Sequence, residues 1–424
     1  MFMARTKARL EGGSRVSDYI TLGVVAQMFP KERVEAILQE TGRSSIRHRD
    51  LPAHVVVYYV IALALFASAS CREVLRCLLE GVQWLMGAGV SLKVAGNSGI
   101  SQARTRLGWK PMQRLHDEIV RPIAIEATKG AWFHHWRLVS LEGSTLDIPD
   151  EKGNEALFGR PSASRGESAF PQVRFVSLVE NGTHVLFGTR MGPCTTSEVA
   201  LTEEVLPALE EGMLCLADRG FYSFALWQKA HATGADLLWR MRANQRFPRE
   251  GELSDGSFLT ILFPSEKDRR AARNGVQIRI VEYTLEGGVS DTRRPPDEDQ
   301  VYRIGTTILD PGAASARDLA GLYHERWEIE SAFDELKVHL KGRQTLLRSR
   351  TPDLIRQEFY GLMMAHFAVR GLMHEAALKE EVDPDHLSFI HAVRVIRRKL
   401  PLMASLPPSG KVHLPRQRPS GNPG

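Results

Sequence analysis

A row of four polar residues near position 330 carries the most specific chemical signal in the sequence. Its members, separated by three, four and seven positions, are Tyr323, Arg326, Glu330 and Lys337. At about 100° per residue, they fall within roughly 60° of one another on the surface of an α-helix. A carboxylate flanked by cations suits a site that holds Mg²⁺ and phosphate together, because the carboxylate binds the metal and the cations bind phosphate oxygens. Taken alone, the row also fits a solvent-exposed face with an ordinary Arg326–Glu330 ion pair.

We expect this row to lie on one continuous helix over residues 318–341. An apolar stripe on the same helix would anchor it on a sheet and leave the polar row along its flank. The stripe consists of Leu322, Ile329, Ala332, Phe333 and Leu336.

A second acidic residue, Asp218, stands at the end of a predicted buried strand. It follows the apolar run 213–217, and we expect Gly220 to permit the tight turn that keeps the carboxylate exposed at the strand end. Taken alone, Asp218 would also suit a helix N-cap. Asp218 is therefore a second candidate ligand for a hard cation.

The sequence after residue 131 predicts an α/β fold. Short β-rich runs at 137–141, 173–179 and 185–189 predict a three-strand meander, in which Asn181-Gly182 marks the second hairpin. The elements that follow alternate between helix and strand, at 198–210, 213–217, 223–232 and 236–241. This order is typical of a ribonuclease-H-like core, a mixed five-stranded sheet flanked by helices.

Other regions surround or interrupt this core. We predict a helical N-terminal domain at 1–130, a catalytic domain at 131–350 with an inserted β-subdomain at about 242–310, a helical C-terminal region at 351–405, and a disordered basic tail at 406–424. The N-terminal domain would contact DNA, with Arg104, Arg106 and Arg114 as candidates, unless these arginines form a solvated helix face.

The bulk composition narrows the class of protein. The chain of 424 residues has a net charge of +5, and its four cysteines show no zinc-like spacing. The basic N-terminus lacks the apolar region of a signal peptide, and the apolar run 55–71 favours a buried helix over a membrane span. We therefore expect a cytoplasmic, nucleoid-associated protein with no membrane partner.

These features resemble the DDE transposases of the insertion sequence four group, named for a Tyr-Arg-Glu-Lys signature on the helix that carries the last acid. The signature here is Y-H-E-R-W-E-I-E-S-A-F-D-E-L-K over 323–337, and the family's D-x-G-[FY] motif appears as L-A-D-R-G-F-Y-S around Asp218. The first acid belongs to a D-G-[ST] motif, and Glu142 in L-E-G-S-T stands where Asp is expected. The resemblance extends from about residue 29 to about residue 400.

The resemblance implies cut-and-paste transposition of an insertion sequence, by metal-dependent DNA cleavage and strand transfer at terminal inverted repeats. Glu142, Asp218 and Glu330 would bind two Mg²⁺ ions, for which Mn²⁺ could substitute. Arg326 and Lys337 would contact phosphates at the transposon end, and Tyr323, an auxiliary residue, would help to position that strand. The partners would be double-stranded DNA at the repeats and the target, with a homodimer in the DNA complex.

Two basic segments, 240–249 and 394–399, would then be DNA-contact surfaces, although either could be a solvated face. Trp239 beside the first segment could stack on a base, but a core position is favoured.

Glu142 leaves three interpretations open. Its extra methylene displaces the carboxylate oxygens by about one bond length, so backbone and side chain would adjust to bind metal, or Asp147 or Asp150 would substitute, or the protein is an inactive copy. The alternative function is therefore a transposase-derived DNA-binding protein with impaired catalysis.

Overall fold

Helices form the N-terminal part of the protein. The computed structural model describes residues 22–45, 51–67, 69–75, 96–163, 166–167, 169–242, 245–284, 301–325, 328–342 and 345–394, so the predicted basic tail lies outside the described residues. The N-terminal helices are α1 (Leu22–Met28), α2 (Lys31–Glu40), α3 (Ala53–Leu65), α4 (Asn97–Leu107) and α5 (Lys110–Ile119). Helix α3 is apolar on all sides and almost wholly buried. Within the described ranges, no helix has the length and apolarity needed to cross a membrane.

A large sheet forms the centre of the described chain. Its strands are β1 (Trp132–Phe133), β2 (Trp136–Asp147), β5 (Gln172–Glu180), β6 (Val185–Pro193), β7 (Met213–Ala217), β8 (Asp236–Arg240), β9 (Gly251–Glu252), β10 (Phe258–Leu262), β11 (Val276–Tyr283) and β12 (Tyr302–Thr306), while β3 (Ser162–Ala163) and β4 (Gly166–Glu167) pair separately. The strand order is β6-β5-β2-β7-β8-β12-β11-β10-β9, with β1 beside β2.

The first five strands in this order confirm the predicted ribonuclease-H-like core. Strands β6, β5 and β2 are antiparallel neighbours, and β7 and β8 continue the sheet parallel to β2. The hairpin between β5 and β6 contains the predicted Asn181-Gly182 pair. Gly182 has a φ of +75°, and a Cβ there would lie 2.7 Å from the backbone of Ala131, so only glycine fits this turn.

The inserted strands extend the core sheet instead of forming a sheet of their own. Strand β12 pairs antiparallel with β8, and β11, β10 and β9 follow outward. The fully buried Arg279 of β11 ties this extension to the loop before the next helix, because its Nη1 donates to the carbonyl of Ala314 at 2.8 Å and its Nε to Ser257 Oγ at 2.8 Å. The described strands of the insertion therefore belong to the same sheet as the core.

Helices flank the sheet and close the described chain. They are α6 (Lys152–Phe158), α7 (Glu198–Val205), α8 (Phe224–His231), α9 (Glu266–Arg270), α10 (Ala316–Glu325), α11 (Glu328–Asp334) and α12 (Pro352–Glu380), with 3-10 turns at Leu206–Ala208 and Pro384–His386 and a π-helical segment at Glu335–Leu340. The long helix α12 packs along α3. A Cβ at Gly361 would lie 2.8 Å from the carbonyl oxygen of Val60, so glycine permits this close approach. The N-terminal and C-terminal helices thus share one core.

The predicted continuous helix over 318–341 is wrong in its last turns and in its apolar stripe. After α11 the chain adopts the π form, in which Lys341 N bonds to Leu336 O at 3.1 Å. Residues 326–327, between α10 and α11, lie outside the described residues. The apolar stripe also divides between the two faces of the sheet. Leu322 packs with Leu214 and Leu216 of β7 on one face, whereas Ala332, Phe333 and Leu336 join the core on the other face, with Cys215 and Ala217 of β7. One straight helix cannot cover both faces, which is why the single-stripe prediction fails.

Candidate active site

Strand pairing brings two of the three predicted acids side by side. Leu141 of β2 is the register partner of Ala217 of β7. Glu142 and Asp218 each follow one residue later, so they lie at neighbouring positions on adjacent parallel strands. Neither position depends on side-chain contacts, since the backbone ladder fixes both.

Asp218 has an unused carboxylate oxygen. Its Oδ1 is buried and has no hydrogen-bond partner among the described residues, and the nearest cation, Arg240 Nη1, is 3.9 Å away. A buried anionic oxygen without a donor is costly, and a bound cation would compensate it. A carboxylate oxygen in this situation is a suitable ligand for a hard divalent ion.

The turn after Asp218 does not need its glycine. The amide of Phe221 donates to the carbonyl of Asp218 at 3.0 Å and closes the turn. Gly220 lies outside the left-handed region, and a Cβ there would meet no atom within 4 Å. The expectation that Gly220 permits this turn is wrong, and the open space beside it shows that solvent reaches the turn.

Arg240 is a candidate functional side chain that the sequence analysis did not connect to Asp218. It is the last residue of β8, and its neighbour Trp239 is the register partner of Ala217. The guanidinium lies over the Tyr302 ring, 4.7 Å from the centroid. Burial, followed by the charge of Arg240, lowers the pKa of the adjacent His324. The sequence could have indicated this contact, because Asp218 and Arg240 stand at the ends of two successive predicted strands.

Arg249, at the end of the basic segment 240–249, is engaged within the protein. Arg249 pairs with Glu252 at 2.9 Å and with Glu282 at 3.1 Å. Trp239 is fully buried and meets Trp227 edge to face, with centroids 5.3 Å apart. Trp239 is therefore a core residue and offers no face to a DNA base.

Tyr323 is buried beneath the site. Its hydroxyl donates to the carbonyl of Ala217 at 3.3 Å, directly before Asp218. The contact joins the end of α10 to the end of β7. Tyr323 is therefore packed against the end of β7 and does not lie on an open surface.

Glu330 and Lys337 occupy the helical segment on the other face. Glu330 is exposed on α11. Lys337 Nζ donates to Ser144 Oγ at 2.9 Å, and Ser144 lies two residues beyond Glu142 on the same strand. Arg326 lies outside the described residues, so the structure describes three of the four residues in the predicted row.

The three predicted acids do not form a closed metal site in this arrangement. Among the described residues, which include Glu142, Asp218 and Glu330, no three acidic, histidine or cysteine side chains converge closely enough to hold a metal ion. The structure joins Glu142 to Asp218 through strand register and joins the Glu330 segment to β2 through Lys337.

One of the candidate DNA-contacting arginines is structural. Arg104 is buried, and its guanidinium donates to Gln357 Oε1 and Ser349 Oγ, both at 2.8 Å. It ties α4 to α12 and cannot reach DNA. Arg106 is exposed, and the exposed Arg114 lies 3.5 Å from Glu118.

Comparisons with known proteins place this architecture in a family. The family models described as "Insertion element 4 transposase N-terminal" and "Transposase DDE domain" match residues 19–117 and 137–368. Transposase InsG for insertion sequence element IS4 of Escherichia coli (strain K12) is 25% identical over 391 residues, which cover 87% of this chain and 80% of InsG. InsZ of the same organism is 22% identical over 219 residues, covering 51% of this chain and 70% of InsZ.

Among solved structures, the piggyBac transposase synaptic complex with hairpin DNA matches with a TM-score of 0.44 and 11% identity, covering 91% of this chain and 81% of that one. The two family models together span both the N-terminal helices and the sheet that carries Glu142 and Asp218. The chain therefore belongs to the IS4 family of DDE transposases.

Proposed function

We propose that this chain is an active, metal-dependent transposase that cleaves DNA at the terminal inverted repeats of its insertion sequence and joins the freed ends to target DNA. The observation that carries the proposal is the register pair Leu141–Ala217, which sets Glu142 beside Asp218. The unpartnered Asp218 Oδ1 supports a cation at that place.

Glu142, Asp218 and Glu330 would hold two Mg²⁺ ions, which Mn²⁺ could replace, since carboxylate oxygens suit hard divalent cations. Such ions neutralise charge on the attacking and leaving oxygens of a phosphodiester. Glu330 is exposed and free of the core, so its carboxylate has room to complete the set.

Other side chains would act on the DNA. The Lys337 ammonium beside β2 would bind a phosphate near the metal site, and Arg326 would bind a second. Tyr323 would act differently from the expectation, because its buried hydroxyl supports the end of β7. Double-stranded DNA is the proposed partner, bound by a homodimer that brings two transposon ends together.

Glu142 itself, and not a neighbouring aspartate, is the proposed first ligand. Asp147 lies five residues after Glu142 on β2. Its Oδ1 accepts a hydrogen bond from Gln172 Nε2 at 2.6 Å. Asp150 pairs with Arg160 beyond the end of the strand. Both candidates are therefore occupied elsewhere, whereas Glu142 lies next to Asp218.

A DNA-binding protein without catalysis is the second candidate function. It is favoured by the extra methylene of Glu142 and by the open arrangement of the three carboxylates. Such a protein would bind terminal repeats through its cationic side chains and cleave nothing.

Cleavage of a DNA duplex that carries the element's terminal repeat separates the two functions. The wild type, Glu142→Asp and Glu330→Gln would be compared in Mg²⁺ and in Mn²⁺, with gel-shift binding measured on the same duplex. The proposal expects nicking by the wild type and by Glu142→Asp, and none by Glu330→Gln. Binding by all three without nicking by the wild type in either metal would establish the second function.

A further inference from the structure

A buried charge cluster lies directly behind the helical segment that carries Glu330 and Lys337. Glu335 is the first residue of the π-helical segment and is only 7% exposed. Its Oε2 accepts from Arg370 Nε at 2.8 Å and lies 3.3 Å from His366 Nε2. Both partners belong to α12.

A third element also holds this carboxylate. His184, in the turn between β5 and β6, places Nδ1 3.4 Å from Glu335 Oε1. The His184 backbone has a φ of +56°, which a residue with a side chain rarely adopts. On its other side, His184 Nε2 lies 3.0 Å from Asp385 Oδ1. The Glu335 carboxylate is thus fixed by side chains from α12 and from the core hairpin.

The cluster lies between two of the predicted site residues in sequence, so it can influence how both are oriented. Glu335 follows Glu330 by five residues and precedes Lys337 by two, and the π turn that begins there rotates the residues after it relative to an α-helix. Lys337 reaches Ser144 across this turn. A buried ion pair is weak evidence for a stabilising role, because apolar replacements of similar volume are often as stable. Fixing the geometry of the segment is the role that the contacts support.

We propose that Glu335, clamped by Arg370, is a positioning residue that anchors this helical segment and sets its π turn, and so orients Glu330 before the turn and Lys337 within it toward Glu142 and Asp218. The inference rests on the proposed function, since it assigns Glu335 to the same metal site. Outer partners that orient ligands commonly change metal affinity or activity by about 10- to 100-fold when removed.

The test compares Glu335→Gln with Glu180→Gln, a matched control. Glu180 is also buried and ion-paired, with Arg137, and its Oε2 accepts from the Ile123 amide at 2.9 Å. Arg137 lies near the start of β2, five residues before Glu142, so the control loses a buried charge away from the predicted acids. Thr183, next to His184, also donates to Glu180, and Gln keeps a side-chain oxygen that can accept this hydrogen bond. Arg370→Lys is the second variant, because it keeps the charge and loses the two-pronged geometry.

Two readouts are used on the full chain. Mn²⁺ binding to the protein–DNA complex is measured by paramagnetic resonance of free Mn²⁺, and hydrogen exchange is measured on peptides covering residues 328–342. Glu335→Gln, or Arg370→Lys if the first variant does not fold, should weaken Mn²⁺ binding about 10-fold or more and speed exchange in that segment. Glu180→Gln should do neither.

The positioning role would be overturned if both cluster variants kept the wild-type Mn²⁺ affinity and the wild-type hydrogen exchange. It would also be overturned if Glu180→Gln lost as much Mn²⁺ affinity as the cluster variants. Failure of the proposed function gives a different result. In that case the wild-type complex itself would bind no Mn²⁺, while exchange in the 328–342 segment would still report whether Glu335 fixes the π turn.

Discussion

Glu142 and Asp218 occupy equivalent places on neighbouring parallel strands, each one residue beyond the register pair Leu141–Ala217. The two carboxylates are therefore brought together by the backbone ladder, which a side-chain substitution leaves intact. A substitution can alter the contacts that hold each strand end in place, or the length of the side chain that carries the carboxylate.

Removing the Tyr323 hydroxyl tests the support behind Asp218. Tyr323→Phe loses the hydrogen bond to the Ala217 carbonyl, so we expect the free energy of unfolding to fall by about 0.5–1.5 kcal/mol and the DNA cleavage rate to fall as well. Urea denaturation and single-turnover cleavage measure the two effects.

Tyr58→Phe is the control for this prediction, because the Tyr58 hydroxyl donates to the Phe29 carbonyl at 2.8 Å in the helical core. It should lower stability similarly and leave cleavage unchanged. A normal cleavage rate in Tyr323→Phe would show that the contact with Ala217 is structural only.

Lys337 is expected to bind a DNA phosphate. Lys337→Gln should weaken binding to the terminal repeat and reduce the slope of log affinity against log salt by about 1, because one fewer counterion is released. Fluorescence anisotropy across a salt series gives this slope.

Lys341→Gln provides the comparison, since the Lys341 ammonium donates to the carbonyls of Gly342 and Thr345 within its own loop. Its salt slope should match that of the wild type. The same slope in Lys337→Gln would remove Lys337 from the DNA interface.

Arg104 is expected to act through folding alone. Arg104→Met removes the cation beside the buried Glu358 carboxylate and the donor to Gln357 Oε1, so the free energy of unfolding should drop by about 3–5 kcal/mol. The exposed Arg106→Met should change it by about 0.5 kcal/mol or less. Chemical denaturation measures both, and a loss of DNA affinity by Arg104→Met at unchanged stability would contradict the assignment.

Two histidines on the same carboxylate should give opposite pH signatures. Burial opposes the charge on His184, but the carboxylates of Asp385 and Glu335 outweigh it and raise its pKa, despite the nearby Arg370. Burial lowers the pKa of His366, and its contact with Glu335 only partly offsets this. The ordinary pKa in the unfolded chain is about 6.5.

The signs follow from linkage. The stability that His184 contributes is complete below the unfolded pKa and is lost as pH rises through the raised folded value. The contribution of neutral His366 is complete above the unfolded pKa and is lost as pH falls. His184→Gln should therefore destabilise more at pH 6 than at pH 8.5, and His366→Gln the reverse, in urea unfolding at both pH values. Equal losses at the two pH values would refute the opposed signs.

Much of the core could be predicted from local pattern. The β-rich runs, the Asn181-Gly182 hairpin and the strand ahead of Asp218 gave the order of the five core strands, because each signal lies within a few residues of the chain. The adjacency of Glu142 and Asp218 follows from that order.

Features that depend on distant partners could not be predicted. The π turn at Glu335 rests on Arg370 and His184, which lie far away in sequence. The division of one apolar stripe between two faces depends on the path of the whole segment. The residues around Arg104 in the sequence do not distinguish it from an exposed arginine. It is buried because α12, which is distant in sequence, packs over it.

The central claim is that Glu142, Asp218 and Glu330 share bound metal. The most direct measurement replaces Mg²⁺ with Fe²⁺ in the protein–DNA complex, generates hydroxyl radicals with ascorbate and peroxide, and maps the polypeptide cuts by mass spectrometry. The account predicts cuts near residues 142, 218 and 330 that excess Mg²⁺ suppresses. Cuts confined to one of these positions, or located elsewhere in the chain, would contradict it.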